Sequence, residues 1–270
     1  MNERLTEETM TSDTEVELKL RLSDADGWKA VLADDFLRHM AAEPEWRRDM
    51  LQAVYYDTAG GELRKRRLTY RIRQESGQWM ATVKGGGAAT GGLHRRQEWN
   101  VPVDGPAVDL TVFKHSPAGA LLAEAIGGAQ LLPLCSTVFE RHMLHVERAG
   151  HTGIEVAADR GEIVAGGKRA PILELELELK SGQPAEVLRL GAALVRRYPL
   201  VLESSSKYHR ALLLAGLAEP PEVPSPEQRT AAMLVHLQAL LDGCAGHPLT
   251  TRGVLQAEIA SLLDLWAKLL

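Results

Sequence analysis

The sequence predicts an α+β fold in which an eight-stranded antiparallel closed β-barrel carries flanking helices, followed by a C-terminal helical hairpin. Three observations predict it. From Glu15 to Leu22 every odd position is ionisable and every even position apolar, the period-two signature of a strand with two unlike faces. The pattern returns in Ile172 to Lys180, with Glu174, Glu176 and Glu178 on one face and only leucines on the other. Further strand signals lie between turn-rich pieces such as Asp57 to Gly61, Glu75 to Gly77 and Gly85 to Gly87. Eight strands suffice to close a barrel, which removes the exposed edges of an open sheet.

Taken in order, residues 1–13 read as a mobile tail. After the first strand, Ser23 or Asp24 is positioned to cap a helix bearing Trp28, Val31, Leu32, Phe36 and Leu37 on one side. Strands are expected over Leu51–Tyr56, Leu68–Gln74, Gln78–Lys84, Arg95–Val103, Val138–Glu147, Gly153–Ala158 and Ile172–Lys180. Helices are expected over Ser116–Ile126, Ala185–Arg197 and Lys207–Leu217. The barrel domain thus spans residues 14–218. Residues 219–226 hold four prolines in eight positions, the composition of a semi-rigid linker. Residues 227–270 have helical periodicity broken at Gly243 to Pro248, which reads as the start of a second, all-α domain.

Composition narrows the function classes. With 270 residues, 45% hydrophobic and 25% charged, the chain is long enough for a large core. A net charge of −5 gives no global attraction to nucleic acid or an anionic membrane, so neither is expected as a partner. Cys135 and Cys244 lie far apart without metal-ligand spacing, which suits a reducing compartment. The polar N-terminus has no signal-peptide run and no stretch reaches transmembrane length. A cytoplasmic location is expected.

The charged faces segregate by strand. Arg71 and Arg73 share one face, Lys84 lies with Thr82, Arg96 with Glu98 and Asn100, Glu155 with Asp159, and Arg141 sits mid-strand. Three carboxylates on one strand face repel each other unless cations lie between or opposite them. A solvated face explains any one strand; six or seven together point to a shared polar interior. Eight anions (Glu15, Glu17, Glu98, Glu155, Asp159, Glu174, Glu176, Glu178) would face eight cations (Lys19, Arg21, Arg71, Arg73, Lys84, Arg96, Arg141, Lys207), with the apolar faces outside under the helices. Arg and Lys suit phosphate oxygens, and clustered carboxylates suit hard cations such as Mg²⁺ or Mn²⁺. A metal-bound polyphosphate would satisfy both sets.

At this point the sequence resembles the CYTH proteins, or triphosphate tunnel metalloenzymes. The resemblance rests on Glu15-x-Glu17-x-Lys19, Val54-Tyr55-Tyr56-Asp57-Thr58, Leu68 to Arg73 and Thr82-Val83-Lys84, followed in order by Thr90 to Asn100, Leu173 to Gly182 and Ser206-Lys207. Gly91-Gly92-Leu93-His94 and the Glu174 to Leu179 strand are most similar to the bacterial inorganic triphosphatase subgroup. The resemblance covers about Thr14 to Leu217. It implies a charged β-tunnel that hydrolyses inorganic triphosphate to diphosphate and phosphate with Mg²⁺ or Mn²⁺. It further implies that Glu15, Glu17, Asp159, Glu174 and Glu176 hold metal. Lys19, Arg71, Arg73, Lys84, Arg96, Arg141 and Lys207 would grip phosphate, with Arg21 added from its parity. In that subgroup a conserved-histidine α-helical (CHAD) domain often follows. Residues 227–270 resemble its start, truncated and without its histidine- and arginine-rich motifs.

Glu17 and Glu176 are expected to be essential for turnover. Lys84 is a candidate general base, because burial among cations lowers a lysine pKa, with phosphate contact as its other role. Thiamine triphosphate hydrolysis, class IV adenylyl cyclase chemistry in the same tunnel, and non-catalytic polyphosphate binding are the competing functions. Trp28, Trp46, Trp79 and Trp99 read as packing residues, Arg64 to Arg67 as a solvated rim, and Gly85 to Gly87 as a flexible turn without a Walker pattern. His142 and His145 fall on opposite faces of one strand.

Overall fold

The structure, a computed structural model, describes residues 11–90, 93–220, 225–243, 251, 253–258 and 263. The chain divides into two compact units, Met1–Ala218 and Glu219–Leu270. In the first, eight long strands follow the alternation seen in the sequence. They are β1 (Thr11–Arg21), β2 (Arg47–Thr58), β3 (Thr69–Glu75), β4 (Gln78–Thr90), β5 (Leu93–Val103), β6 (Leu131–Arg148), β7 (Thr152–Ala165) and β8 (Lys168–Leu179). Their order is β5-β4-β3-β2-β6-β7-β8-β1, all antiparallel, and pairing of β1 with β5 closes the barrel. The short β9 (Val201–Leu202) takes over that edge of β1 at Leu20 and Arg21, beyond the end of β5.

Several expectations needed correction at the boundaries. Of the expected tail, residues 1–10 lie outside the described residues, and Thr11 to Asp13 belong to β1, where they pair with β5. Gly85 to Gly87 are not a turn. They form a bulge inside β4, where the register jumps from Gly85 opposite Gln97 to Ala88 opposite Arg95. Gly87 has φ +111°, and a Cβ there would lie 2.1 Å from the Arg95 carbonyl oxygen, so only glycine fits. The first helix is two: α1 (Ala25–Leu32), capped by Asp24, and α2 (Asp35–Arg38), capped by Asp34, whose carboxylate accepts from the Phe36 N–H. The remaining helices are α3 (Glu62–Lys65), α4 (Pro117–Ile126), α5 (Pro184–Arg197) and α6 (Lys207–Ala215).

Two apolar clusters lie outside the barrel, as the alternation demands. One packs Leu18 and Leu20 of β1, Val156 of β7 and Leu175 and Leu177 of β8 against Trp28, Leu37, Val187 and Leu190 of the covering helices. The glycine at 191 lets α5 approach closely, since a Cβ there would sit 2.3 Å from Leu18 Cδ2. The other packs Tyr70, Ile72, Val83 and Trp99 under Leu63 of α3, Phe113 of a 3₁₀ turn (Leu110–Phe113) and Leu122 of α4.

A third cluster reverses the expected inside-out order. Leu51, Ala53 and Tyr55 of β2 and Phe139 of β6 pack with Ile163, Ile172 and Ala211 of α6. Ala53, Tyr55 and Phe139 also line the central cavity. On the outer face of this wall Met50 is 48% and Val138 36% exposed. The physical reason is α6: its Ala211, with Tyr208, Leu214 and Ala215, packs on the inner faces of β2, β6, β7 and β8. The helix thereby occupies part of one end of the barrel, where the side chains packed against it are apolar, while Arg71, Arg73 and Thr137 in neighbouring register keep the cavity beside it polar.

In the second unit, α7 (Pro226–Gly243) is described and residues 253–258 are helical. Residues 221–224 of the expected linker, and all but Gly243 of the expected break, lie outside the described residues. Among the described residues, no helix is long and apolar enough to cross a membrane.

Candidate active site

The inward faces enclose a cavity of about 290 Å³. Its charge follows the strand order, with a carboxylate wall on β1, β8 and β7 and a cationic wall on β3, β4 and β5.

The carboxylate wall arises from register. Pairing sets Glu17 opposite Glu178, Glu155 opposite Glu178, and Asp159 opposite Glu174. Such like-charge pairs are destabilising unless cations intervene, and here cations do. Lys19, opposite Glu176, donates to Glu17 at 2.8 Å and also contacts Glu176. Arg141 grips Asp159 with Nε and Nη2, both at 2.7 Å, and reaches Glu176 at 2.5 Å. From the first turn of α6, Lys207 Nζ donates to Asp159 at 2.7 Å, Glu174 at 2.5 Å and Glu176 at 2.9 Å. The Phe139 ring lies 5.5 Å from the Arg141 guanidinium carbon and 4.9 Å from Lys207 Nζ, adding a cation–π contact to each.

Burial works against every charge here, and the partners decide the outcome. Glu176 is desolvated, yet Lys19, Lys207 and Arg141 hold its carboxyl well below the usual range. Burial likewise disfavours the Lys19 and Lys207 ammonium groups, but their carboxylate partners outweigh it and raise both pKa values. At the barrel's open end the balance shifts. Burial, together with Glu15 and Glu155, raises the Glu178 carboxyl although Lys180 pairs with it at 2.8 Å.

On the cationic wall, Lys84 donates to both Glu15 oxygens at 2.8 and 2.9 Å and pairs with Glu98 at 2.9 Å. Arg71 meets Glu98 at 3.4 Å and Arg96 meets Glu17 at 3.3 Å. Burial opposes ionisation of Glu98, but Lys84, Arg71 and Arg73 pull its pKa down to about 2. Arg73 is the reverse: burial and the neighbouring Arg71 depress it to about 10, against one ion pair with Glu75 at 2.5 Å. The Nε atoms of Arg71, Arg73 and Arg96 are buried without a hydrogen-bond partner. These donors suit an incoming anion.

Among the described residues, metal capacity is concentrated at one place. Asp159, Glu174 and Glu176 each offer an oxygen within 4.8 Å of the others, and all three are buried. A set of hard oxygen donors fits a hard divalent cation, and the Lys207 ammonium already shows that the position attracts positive charge. Glu17 connects to this set through Lys19, whereas Glu15 is held apart by Lys84.

The expected site residues come together, with Asp159 and Glu174 fully buried behind the cavity lining and Arg21 outside the site. Arg21 does not line the cavity: its side chain is 58% exposed and lies 3.6 Å from Glu203. It shares the parity of Lys19 but is the last residue of β1, paired with β9, so its side chain leaves the lumen. Other residues of the site were missed. Glu75 and Lys180 continue the parity of Arg73 and Glu178 and were legible on that rule. Arg210, one turn after Lys207, holds the second Glu174 oxygen and was legible at helical spacing. Tyr55, Thr137 and Tyr208 also line the cavity and carry no charge pattern to mark them.

A closed antiparallel barrel around segregated acidic and basic walls defines a tunnel-type protein whose one cavity offers both carboxylate oxygens and cationic donors. Residues 13–212 match the CYTH domain family, and the chain belongs to that family. Over 168 residues it is 34% identical to an inorganic triphosphatase of Haemophilus influenzae, a match covering 60% of this chain and 45% of that protein. The chain therefore spans less than half the length of that relative. A putative adenylyl cyclase from Hippeastrum with a dominant triphosphatase activity superposes with TM-score 0.53 at 19% identity, over 78% of this chain and 100% of that one. That likeness shows the fold. A Pyrococcus horikoshii protein gives TM-score 0.46 at 20% identity, over 75% of this chain and 99% of that one.

Proposed function

We propose that the chain is a metal-dependent inorganic triphosphatase, hydrolysing tripolyphosphate to diphosphate and phosphate inside the barrel. The observation that carries this reading is one cavity with carboxylates on one side, Glu176 lining it and Asp159 and Glu174 buried beside Glu176, and on the other side a guanidinium wall whose Nε donors lack partners. The likeness to the Haemophilus influenzae triphosphatase supports it.

Asp159, Glu174 and Glu176, with Glu17 and Glu15 as further ligands, would hold Mg²⁺ or Mn²⁺. Such a cation, when bound, offsets charge on phosphoryl oxygens and favours attack by water. The chain's own cations do the rest. Arg71, Arg73 and Arg96 bind and orient the phosphate chain, and Lys19, Arg141 and Lys207 stabilise charge on the phosphoryl group in transit. Hydrolysis adds water across one bridge: its oxygen bonds to the terminal phosphorus and the bridging oxygen leaves with diphosphate. Lys84 acts as a phosphate contact. Its Nζ donates to both Glu15 oxygens and pairs with Glu98, the bonding of a donor placed among anionic oxygens.

The two compact units, Met1–Ala218 and Glu219–Leu270, support reading residues 14–218 as the catalytic domain. The helical residues from Pro226 onward support reading 227–270 as the start of a CHAD-like domain. Phosphate release from tripolyphosphate, ATP and thiamine triphosphate, each with and without Mg²⁺ and Mn²⁺, tests the function. Metal-dependent release from tripolyphosphate alone is expected. Preferential turnover of either other substrate, or tight tripolyphosphate binding without release, overturns it.

A further inference from the structure

One row across the barrel differs from the charged rows. Ala53 of β2 stands in register with Arg73 of β3 on one side and Thr137 of β6 on the other. Adjacent strands are roughly 5 Å apart, so a residue with only a methyl group between two larger ones leaves a notch in the wall. All three residues line the cavity. β2 lies four strands from β1 in either direction round the barrel, so the notch faces the Glu15 and Glu17 strand across the lumen.

The polar atoms at this notch are donors in want of an acceptor. Thr137 is 1% exposed, and its buried Oγ1 has no hydrogen-bond partner. A buried hydroxyl without a partner is an exception that calls for a ligand or an ordered water. Beside it, Arg73 Nε and Arg71 Nε are also buried and unpartnered. The only carboxylate paired with Arg73 among the described residues is Glu75, two residues along its own strand. Among the described residues, the three carboxylates close enough to share a metal come from β7 and β8, and the further candidates Glu15 and Glu17 stand on β1, four strands from β2. The notch therefore offers hydroxyl and guanidinium hydrogen bonds to an anion that metal-binding side chains do not contact.

We propose that the Arg73–Ala53–Thr137 notch is a phosphoryl pocket for the end of a polyphosphate chain remote from the metal-binding carboxylates. Thr137 is then a substrate-contacting residue, and Ala53 is the residue whose small size admits the third phosphoryl group. This rests on the triphosphatase reading for its substrate class. It adds what distinguishes a triphosphate from a diphosphate: the shorter chain, seated against the carboxylate wall, leaves the notch empty.

The test uses imidotriphosphate and imidodiphosphate, whose nitrogen bridges resist hydrolysis, titrated calorimetrically into the full chain with Mg²⁺. Thr137→Val keeps the side-chain shape and removes the hydroxyl; Ala53→Leu fills the notch. Loss of a hydrogen bond to a charged group is expected to weaken imidotriphosphate binding about tenfold in Thr137→Val, and Ala53→Leu to weaken it further. Imidodiphosphate binding should change less than twofold in both. Ligand-free unfolding midpoints identify any variant that fails to fold, and the valine variant, which loses only an unpaired hydroxyl, stands alone if the leucine does not fold. Wild-type affinity for imidotriphosphate in Thr137→Val, or an equal loss for both ligands, overturns the proposal. Binding of imidotriphosphate by a wild-type chain that fails to hydrolyse tripolyphosphate would overturn the enzyme reading instead, and the pocket would still be judged by the same titrations.

Discussion

Lys207→Met isolates the part of the site on which both stability and metal binding depend. Lys207 Nζ lies 2.7 Å from Asp159, 2.5 Å from Glu174 and 2.9 Å from Glu176, and Asp159 and Glu174 are fully buried. Methionine approximates the stem's volume and removes the charge, leaving three carboxylates against Arg141, Arg210 and Lys19. Removing one partner from a buried ion cluster costs about 3–5 kcal/mol, because uncompensated charge stays desolvated. For a unit the size of Met1–Ala218, each kcal/mol shifts the unfolding midpoint by about 2–4 °C, giving a loss of about 6–20 °C. The assay is thermal unfolding in EDTA and again in Mg²⁺ or Mn²⁺. The variant should recover more stability from divalent cation than the wild type does, since the ion replaces the missing ammonium; saturation at 100 times the dissociation constant returns about 2.7 kcal/mol. A midpoint in EDTA within 2 °C of wild type, with the same metal response, would refute the reasoning.

The other predictions are narrower. Glu176→Gln removes the acceptor charge shared by Lys19, Arg141 and Lys207 and should lower tripolyphosphate turnover at least about 100-fold, the scale of losing one preorganised electrostatic contact; near-normal phosphate release would remove Glu176 from the metal site. Arg73→Met should raise KM about tenfold while largely sparing kcat, because it removes one hydrogen-bonded charge that grips the phosphate chain, and a fall in kcat at constant KM would contradict that. Glu98 is held at about 2 in the folded chain against about 4.3 unfolded. Its contribution is complete above the unfolded value and lost as pH falls through 2, on the order of 3 kcal/mol. Urea unfolding between pH 5 and pH 3 should therefore be steeper in pH for wild type than for Glu98→Gln, and identical slopes would contradict it.

The parts that could be read from the sequence are those where period and charge coincide. On β1 and β8 strict alternation settles both strand and face: Glu17, Lys19 and Glu176 line the cavity as expected, and Glu174 is buried on the same side against Lys207. The rule fails where position along the strand matters as much as parity: Arg21 has the right parity and the wrong height. It fails again where a tertiary element inverts a face. Nothing in Leu51 to Tyr55 announces that its most buried side would point inward, because that depends on α6 entering the barrel. The glycines of β4 were misread because a bulge and a turn use the same residue for the same positive φ. Thr137 was invisible since a single hydroxyl in a strand has no pattern; only closure of the barrel shows that it has no partner.

The pairing inside the cavity also implies how its two functions are tied together. Five of the eight cations expected to grip phosphate are engaged with a carboxylate expected to hold metal: Lys19 with Glu17 and Glu176, Lys84 with Glu15, Arg96 with Glu17, Arg141 with Asp159 and Glu176, and Lys207 with Asp159, Glu174 and Glu176. Phosphate alone would take the cations and strand buried carboxylates; metal alone would take the carboxylates and strand buried cations. Either step by itself leaves desolvated charge uncompensated, the costly case, whereas the two together exchange one neutralised set for another. In the proposed reaction each ligand therefore raises the affinity for the other by the same factor, as linkage requires. Arg73 and Thr137 stand outside this exchange, since neither is paired with those carboxylates. They can hold a phosphoryl group without disturbing the metal-binding wall, and this separation is what lets one end of the chain be anchored while the other is hydrolysed.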